Sequence, residues 1–112
     1  MRRGEIWRVR LATSSGHAQT GERPTVIVQN NSATSNLSTV LQVPFTSRLA
    51  AQRFPATILV NPDKNNGLTV PSVALVYQAS AQDKRNFVEQ LGVLDEASLQ
   101  RITDQIMWIM TN

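Results

Sequence analysis

Residues 95–110 carry the one sustained helical repeat in this chain, and the sequence before them is cut into short alternating or apolar runs separated by turn residues. Asp95 is a good N-cap, Glu96 suits the positive end of the helix dipole, and Leu94 and Leu99 occupy the two positions of a hydrophobic staple. Leu99, Ile102, Ile106, Ile109 and Met110 then recur at helical spacing, a stripe that is expected to bury itself against a sheet. Upstream, strands are expected over residues 5–11, 25–29, 39–43, 56–60, 73–78 and 90–93. Residues 12–22 read as a long polar loop and residues 30–38 as turn chemistry. Residues 49–54 and 83–89 are each a short helix or a turn, and residues 61–67 are a breaker run. Many short strands and one terminal helix predict a mainly β fold with a C-terminal helix, as a small, mostly antiparallel barrel or curled sheet.

The first strand shows the pattern best. Ile6, Arg8 and Arg10 fall on one side and Trp7, Val9 and Leu11 on the other, so one face is half wet, as an antiparallel sheet allows. With 112 residues the chain suits one domain, residues 1–112. No run is long and apolar enough to predict a membrane span. Charges at Glu5 and Arg8 interrupt the place where a signal peptide needs its apolar core, which predicts a cytoplasmic protein. The chain has no cysteine, which removes disulfides, thiolate nucleophiles and the usual zinc sites. It has one histidine, His17, too few for a multi-histidine centre. A carboxylate-only magnesium site stays open, but no metal or cofactor is expected.

The charge is unevenly placed. Residues 1–53 hold seven arginines (Arg2, Arg3, Arg8, Arg10, Arg23, Arg48, Arg53) against Glu5 and Glu22, a net +5, whereas the remainder has four cations against six carboxylates, a net −2. Every cation in the first half is arginine, whose planar fork matches phosphate oxygens, so an anionic partner is expected.

Within that basic half, Gly16-His17-Ala18-Gln19-Thr20-Gly21-Glu22-Arg23-Pro24 is a polar, two-glycine stretch leading straight into Val26-Ile27-Val28. Val40-Leu41-Gln42-Val43-Pro44 leads into a second polar turn, Thr46-Ser47-Arg48. Two strands that each bring a guanidinium and a hydroxyl to one end of a sheet can hold a phosphodiester. For RNA cleavage without metal, the 2′-hydroxyl attacks the adjacent phosphorus, the added charge needs stabilising, and the leaving oxygen needs a proton. Arg23 suits the charge of a pentavalent transition state, and Thr46 can donate to a non-bridging oxygen with support from Ser47. His17 has the right intrinsic pKa for acid–base work near neutrality, and Glu22 is either a base or a salt-bridge partner. The competing reading makes His17 a solvated loop residue and Arg23 a solvated charge.

Other constellations are weak. The chain lacks a P-loop and a Gly-x-Ser-x-Gly elbow. Asp83-Lys84-Arg85 reads as solvated surface. Trp7 and Trp108, each among apolar neighbours, read as core or interface anchors, and Met107 and Met110 suit either the core or a partner surface.

Taken in order, these segments resemble the MazF/PemK family of toxins from type II toxin–antitoxin systems. The family opens with Arg-Gly-(Glu/Asp)-(Ile/Val)-aromatic, and Arg3-Gly4-Glu5-Ile6-Trp7 matches throughout. Its loop pattern ending in Gly-x-Arg-Pro is matched by Gly21-Glu22-Arg23-Pro24, and its Pro-x-Thr-Ser by Pro44-Phe45-Thr46-Ser47. The strand ending at Gln78, then Asp83-Lys84 and Gly92-Val93-Leu94, complete the order. The resemblance implies a small SH3-like barrel of the MazF/PemK/CcdB type and a homodimer. It also implies metal-independent, sequence-specific cutting of single-stranded RNA to 2′,3′-cyclic phosphate and 5′-hydroxyl ends, with a separately encoded antitoxin. The family's catalytic arginine and threonine correspond to Arg23 and Thr46; His17 and Glu22 are the acid–base candidates, and Gln19, Ser47, Arg48 and Gln78 are assigned to RNA contact.

The chain departs from the family pattern at three places. Ala18 replaces the loop glutamate, Tyr77 stands at a commonly acidic position, and Ser80 replaces an arginine found in some relatives. Two other readings stay open: a gyrase-inhibiting toxin of the same fold, and an RNA-binding module without catalysis. The CcdB relatives that bind gyrase end in Trp-Gly-Ile, whereas this chain ends Trp108-Ile109-Met110-Thr111-Asn112.

Overall fold

The computed structural model describes residues 1–11 and 21–111. The predicted His17, Ala18 and Gln19 lie outside the described residues. Seven strands and two helices follow the order β1 (Glu5–Leu11), β2 (Gly21–Ile27), α1 (Asn31–Asn36), β3 (Thr39–Thr46), β4 (Thr57–Val60), β5 (Ser72–Leu75), β6 (Ser80–Asp83), β7 (Phe87–Val93) and α2 (Glu96–Met110). Single 3₁₀ turns occupy Leu49–Arg53, Val76–Gln78 and Lys84–Asn86.

All strand pairs are antiparallel and run in the order β4-β5-β3-β2-β1-β7, with β6 also on β3. Among the described residues the sheet does not close: β4 and β7 end it. The expected barrel is thus a curled open sheet. Strand β3 holds it together. Its residues 42–44 pair with β2, residues 39–42 pair with β6, and Phe45 and Thr46 pair with β5. Pro44 falls where β3 leaves β6 for β5, which is where a missing N–H costs the ladder least.

The sheet curls around one core and carries a smaller one behind it. The main core gathers Ile6, Val26, Val43, Phe45, Ile58, Val60 and Ala74 under Ile102 of α2. On the other face, Val9, Ile27, Val40 and Phe87 pack with Trp7 and Leu11, and the Trp7 and Phe87 rings meet edge to face at 6.2 Å. The predicted two faces of β1 are those observed: Ile6 enters the main core and Trp7, Val9 and Leu11 the smaller one.

The opening motif is structural. The Arg3 guanidinium donates to the Val28 carbonyl and the Thr103 hydroxyl, tying the chain start to β2 and α2. Gly4 takes a left-handed φ of 93°, donates to the Ile27 carbonyl and accepts from Leu94 N. Glu5 Oε1 accepts from the Trp7 indole at 2.9 Å. Helix α2 starts as expected, with the Asp95 carboxylate accepting from Ser98 N at 2.9 Å and Leu94 buried beside it. Its apolar stripe buries only in part. Ile102 is buried and Leu99 and Ile106 pack on the core, but Ile109 and Met110 remain exposed at 43% and 77%.

Several boundaries differ from expectation. Strand β2 begins at Gly21, four residues early, because residues 21–24 pair with β1 and Glu22 sits across from Arg10. The expected turn after Gln29 contains α1, because the Asn30 side chain caps Ser32 N and buried Thr34 bonds back to the Asn30 carbonyl. Strand β5 stops at Leu75, where the chain turns so that Val76 reaches the core and Tyr77 N bonds to the Ala56 carbonyl. Strand β6, where no strand is expected, pairs with the first half of β3.

Candidate active site

Strands β2 and β3 meet at a cavity of about 510 Å³ on one end of the sheet. Arg8, Glu22, Arg23 and Pro24 border it from β1 and β2, Phe45 and Thr46 from β3, and Ser47 and Arg48 from the turn that follows. The pairing of β2 with β3 ends at Thr25 and Pro44, two residues from Arg23 on one strand and from Thr46 on the other. The two predicted catalytic residues thus come from facing ends of neighbouring strands.

Thr46 is held by its own turn. Its Oγ1 accepts from Arg48 N at 3.2 Å, an arrangement that occupies a lone pair and leaves the hydroxyl hydrogen to donate. Ser47 and Arg48 are exposed at the mouth. Glu22 is engaged by cations: Oε1 accepts from Arg8 Nε at 2.7 Å, and Oε2 lies 3.7 Å from Arg10 Nη2. Arg8 also reaches Glu89 of β7, Nη1 to Oε1 at 3.0 Å.

The far wall follows the breaker run of residues 61–67 and includes its last residue, Gly67. Residues 67–70, with Ser72 and Leu91, complete the cavity. Asn66 organises them from a fully buried position: its Oδ1 accepts from Asp63 N and Leu68 N, and its Nδ2 donates to the Asn61 carbonyl. Gly67 at φ 73° packs on Leu91, with no room for a side chain.

The structure brings together Glu22, Arg23, Thr46, Ser47 and Arg48. Gln78 is elsewhere: it is exposed on the 3₁₀ turn beside Tyr77, outside the cavity lining. Tyr77 packs edge to face on Phe54 at 5.9 Å, and the Ser80 hydroxyl accepts from buried Gln42. Arg8 is the site residue that motif reading missed, since it lies between the opening motif and the loop motif. Its signal was the polar face of β1. Among the described residues no group of three or more His, Cys, Asp or Glu side chains is placed to hold a metal ion.

The fold and site together define a small antiparallel β protein with an arginine- and hydroxyl-bordered groove at the strand ends, suited to a phosphodiester. Residues 2–110 match the model of the PemK-like, MazF-like toxins of type II toxin–antitoxin systems, and the chain belongs to that family. It is 29% identical over 106 residues to the endoribonuclease MazF of Staphylococcus saprophyticus, covering 95% of this chain and 88% of that protein. Its fold is shared with MazF from Deinococcus radiodurans, at a TM-score of 0.79 and 22% identity over 98% of this chain and 96% of that one. A mycobacterial endoribonuclease solved in complex with its cognate antitoxin has a TM-score of 0.79 at 20% identity, over 98% and 94% of the two chains.

Proposed function

We propose that this protein, as a single toxin domain over residues 1–112, is a metal-independent endoribonuclease that cuts single-stranded RNA at specific sequences and is neutralised by a cognate antitoxin. The observation that carries this reading is the convergence of Arg23 and Thr46 on one cavity from the ends of β2 and β3. In the proposed reaction the RNA 2′-oxygen forms a bond to the adjacent phosphorus and the P–O5′ bond breaks, giving a 2′,3′-cyclic phosphate and a 5′-hydroxyl. The 2′-hydroxyl proton goes to a base, and an acid returns one to O5′. Arg23 and the Thr46 hydroxyl stabilise the charge that builds on the non-bridging oxygens. Glu22, engaged by Arg8 and Arg10, is best read as a positioning carboxylate, which favours His17 for proton transfer. Gln19, Ser47, Arg48 and Gln78 remain assigned to RNA contact; of these, Ser47 and Arg48 border the cavity.

Two partners belong to the same reading. An antitoxin with an acidic, disordered segment would fold over the basic groove and cover Arg23. A second copy would cover the exposed end of α2. There Trp108 and Ile109 border an apolar cleft of about 370 Å³ with Phe54, Pro55, Ala56 and Tyr77, and Met107 and Met110 lie alongside, exposed. Contiguous apolar surface of this kind marks an interface, and a two-fold pair would bury it on both copies. No helix among the described residues is long and apolar enough to cross a membrane, which accords with action on mRNA in the cytoplasm.

The test is incubation of purified protein and Arg23→Ala with a long single-stranded RNA in the presence of chelator, with the cut ends mapped. Discrete cuts bearing cyclic phosphate that vanish in the variant are expected. Intact RNA with the folded, antitoxin-free wild type would overturn the reading. Supercoiling inhibition would then point to gyrase, and salt-dependent RNA binding without cleavage to a binding module.

A further inference from the structure

We infer that Arg8 is a second phosphate-holding cation of the groove, fixed in place by Glu22 and Glu89, and that Glu89 tunes how tightly RNA is held. The inference rests on the proposed endoribonuclease reading. Arg8 borders the same cavity as Arg23, Thr46 and Arg48. On the sheet it sits across from Pro24, the residue next to Arg23 on β2, and both arginines border the one cavity.

The two carboxylates orient the guanidinium without using it up. Glu22 takes Nε at 2.7 Å and Glu89 takes Nη1 at 3.0 Å, while no described residue accepts a hydrogen bond from Nη2. Among the described residues, Nη2 is thus the terminus that faces a phosphate oxygen without a rival acceptor. The side chains of Arg8, Glu22 and Glu89 are 35%, 36% and 55% exposed, so these are weak, solvent-screened pairs. A phosphodiester oxygen can share the guanidinium at little cost. The carboxylates also impose a limit. Arg8 and Arg10 are balanced by Glu22 and Glu89, so this corner of the groove is neutral, and an approaching phosphate meets Glu89 as a like charge.

The opposed charges give the test two arms. Binding of mixed-sequence single-stranded RNA carrying 2′-O-methyl sugars, which lacks the attacking hydroxyl, is measured across a salt series for wild type, Arg8→Gln and Glu89→Gln. Arg8→Gln is expected to weaken binding about tenfold at low salt and to flatten the slope of log K against log salt by about 0.7. Glu89→Gln is expected to tighten binding up to about fivefold. A purely structural role for the ion pairs predicts the reverse for Glu89→Gln: no gain in affinity and a lower melting temperature. Wild-type affinity and slope in Arg8→Gln, or no tightening in Glu89→Gln, would overturn the inference and leave the endoribonuclease reading intact. Wild-type protein that neither binds this RNA nor cuts unmodified RNA would overturn the endoribonuclease reading itself.

Discussion

Gly92 of β7 passes so close to Asn65 that a methyl group on its Cα would lie 2.3 Å from the Asn65 carbonyl oxygen. The contact is locked by the adjacent hydrogen bond from Val93 N to the same carbonyl at 2.8 Å. It presses the far wall of the groove onto the last strand. Gly92→Ala forces those backbones apart and is expected to cost about 2 kcal/mol, with RNA cleavage falling through displacement of residues 67–70. Chemical denaturation measures the first effect. An unchanged midpoint would show that the wall can shift without cost.

Removing the proposed transition-state donors should act on the chemical step. Arg23→Ala and Thr46→Val are each expected to lower the single-turnover cleavage rate about 10²–10³-fold. Thr46→Val keeps the branched shape and deletes only the hydroxyl. A variant whose rate is normal once RNA is saturating would assign that side chain to binding instead.

The acid–base assignment is separable by pH. If His17 moves the proton, the rate profile should carry an inflection that belongs to its imidazole. His17→Gln should abolish that inflection, and Glu22→Gln should leave it in place while changing RNA affinity. The opposite pattern would make Glu22 the base.

Helix α2 has a pH-dependent anchor. The Ser98 backbone N–H above all, with smaller help from the Ser98 hydroxyl and Arg101, holds the Asp95 carboxyl below its ordinary 3.8 against the opposing effect of burial. A depressed carboxyl stabilises the fold in full above its unfolded-state pKa and loses that contribution as pH falls through the folded-state value. Asp95→Ala should therefore cost about 1 kcal/mol near neutrality and progressively less below about pH 4. Thermal melts of both proteins across that range would show the gap closing; a constant gap would exclude the carboxylate as its source.

At the other end of α2, Trp108→Glu places a charge in the apolar cleft beside Phe54 and Tyr77. Wild type is expected to sediment as a dimer and the variant as a monomer. A wild-type monomer at micromolar concentration would remove this surface from the dimer assignment.

Legibility from sequence followed the range of the forces involved. Strand β1, the cap at Asp95 and the placement of Arg23 and Thr46 at one cavity were readable because each is written in neighbouring residues or in a compact motif. The start of β2 was misplaced because Gly21 and Glu22 look like loop and become strand only when β1 supplies Leu11 and Arg10 as partners. Strand β6 was missed for the same reason: Ser-Ala-Gln-Asp has no strand pattern of its own and depends on β3. Arg8 was visible only as a polar position on β1; its two carboxylate partners lie 14 and 81 residues away. The apolar end of α2 obeyed the helical repeat, but a repeat does not say whether the surface covering it comes from the same chain.

The three-way pairing of β3 gives the site an unusual kind of durability. Because β2, β5 and β6 all zip onto this one strand, fraying of the outer strands β4 and β7 leaves the joint between β2 and β3 beside the cavity in place. Amide protons in the middle of β3 should be among the last to exchange with solvent. Local breathing can then widen or narrow the groove's far wall while β2 and β3 stay joined beside it.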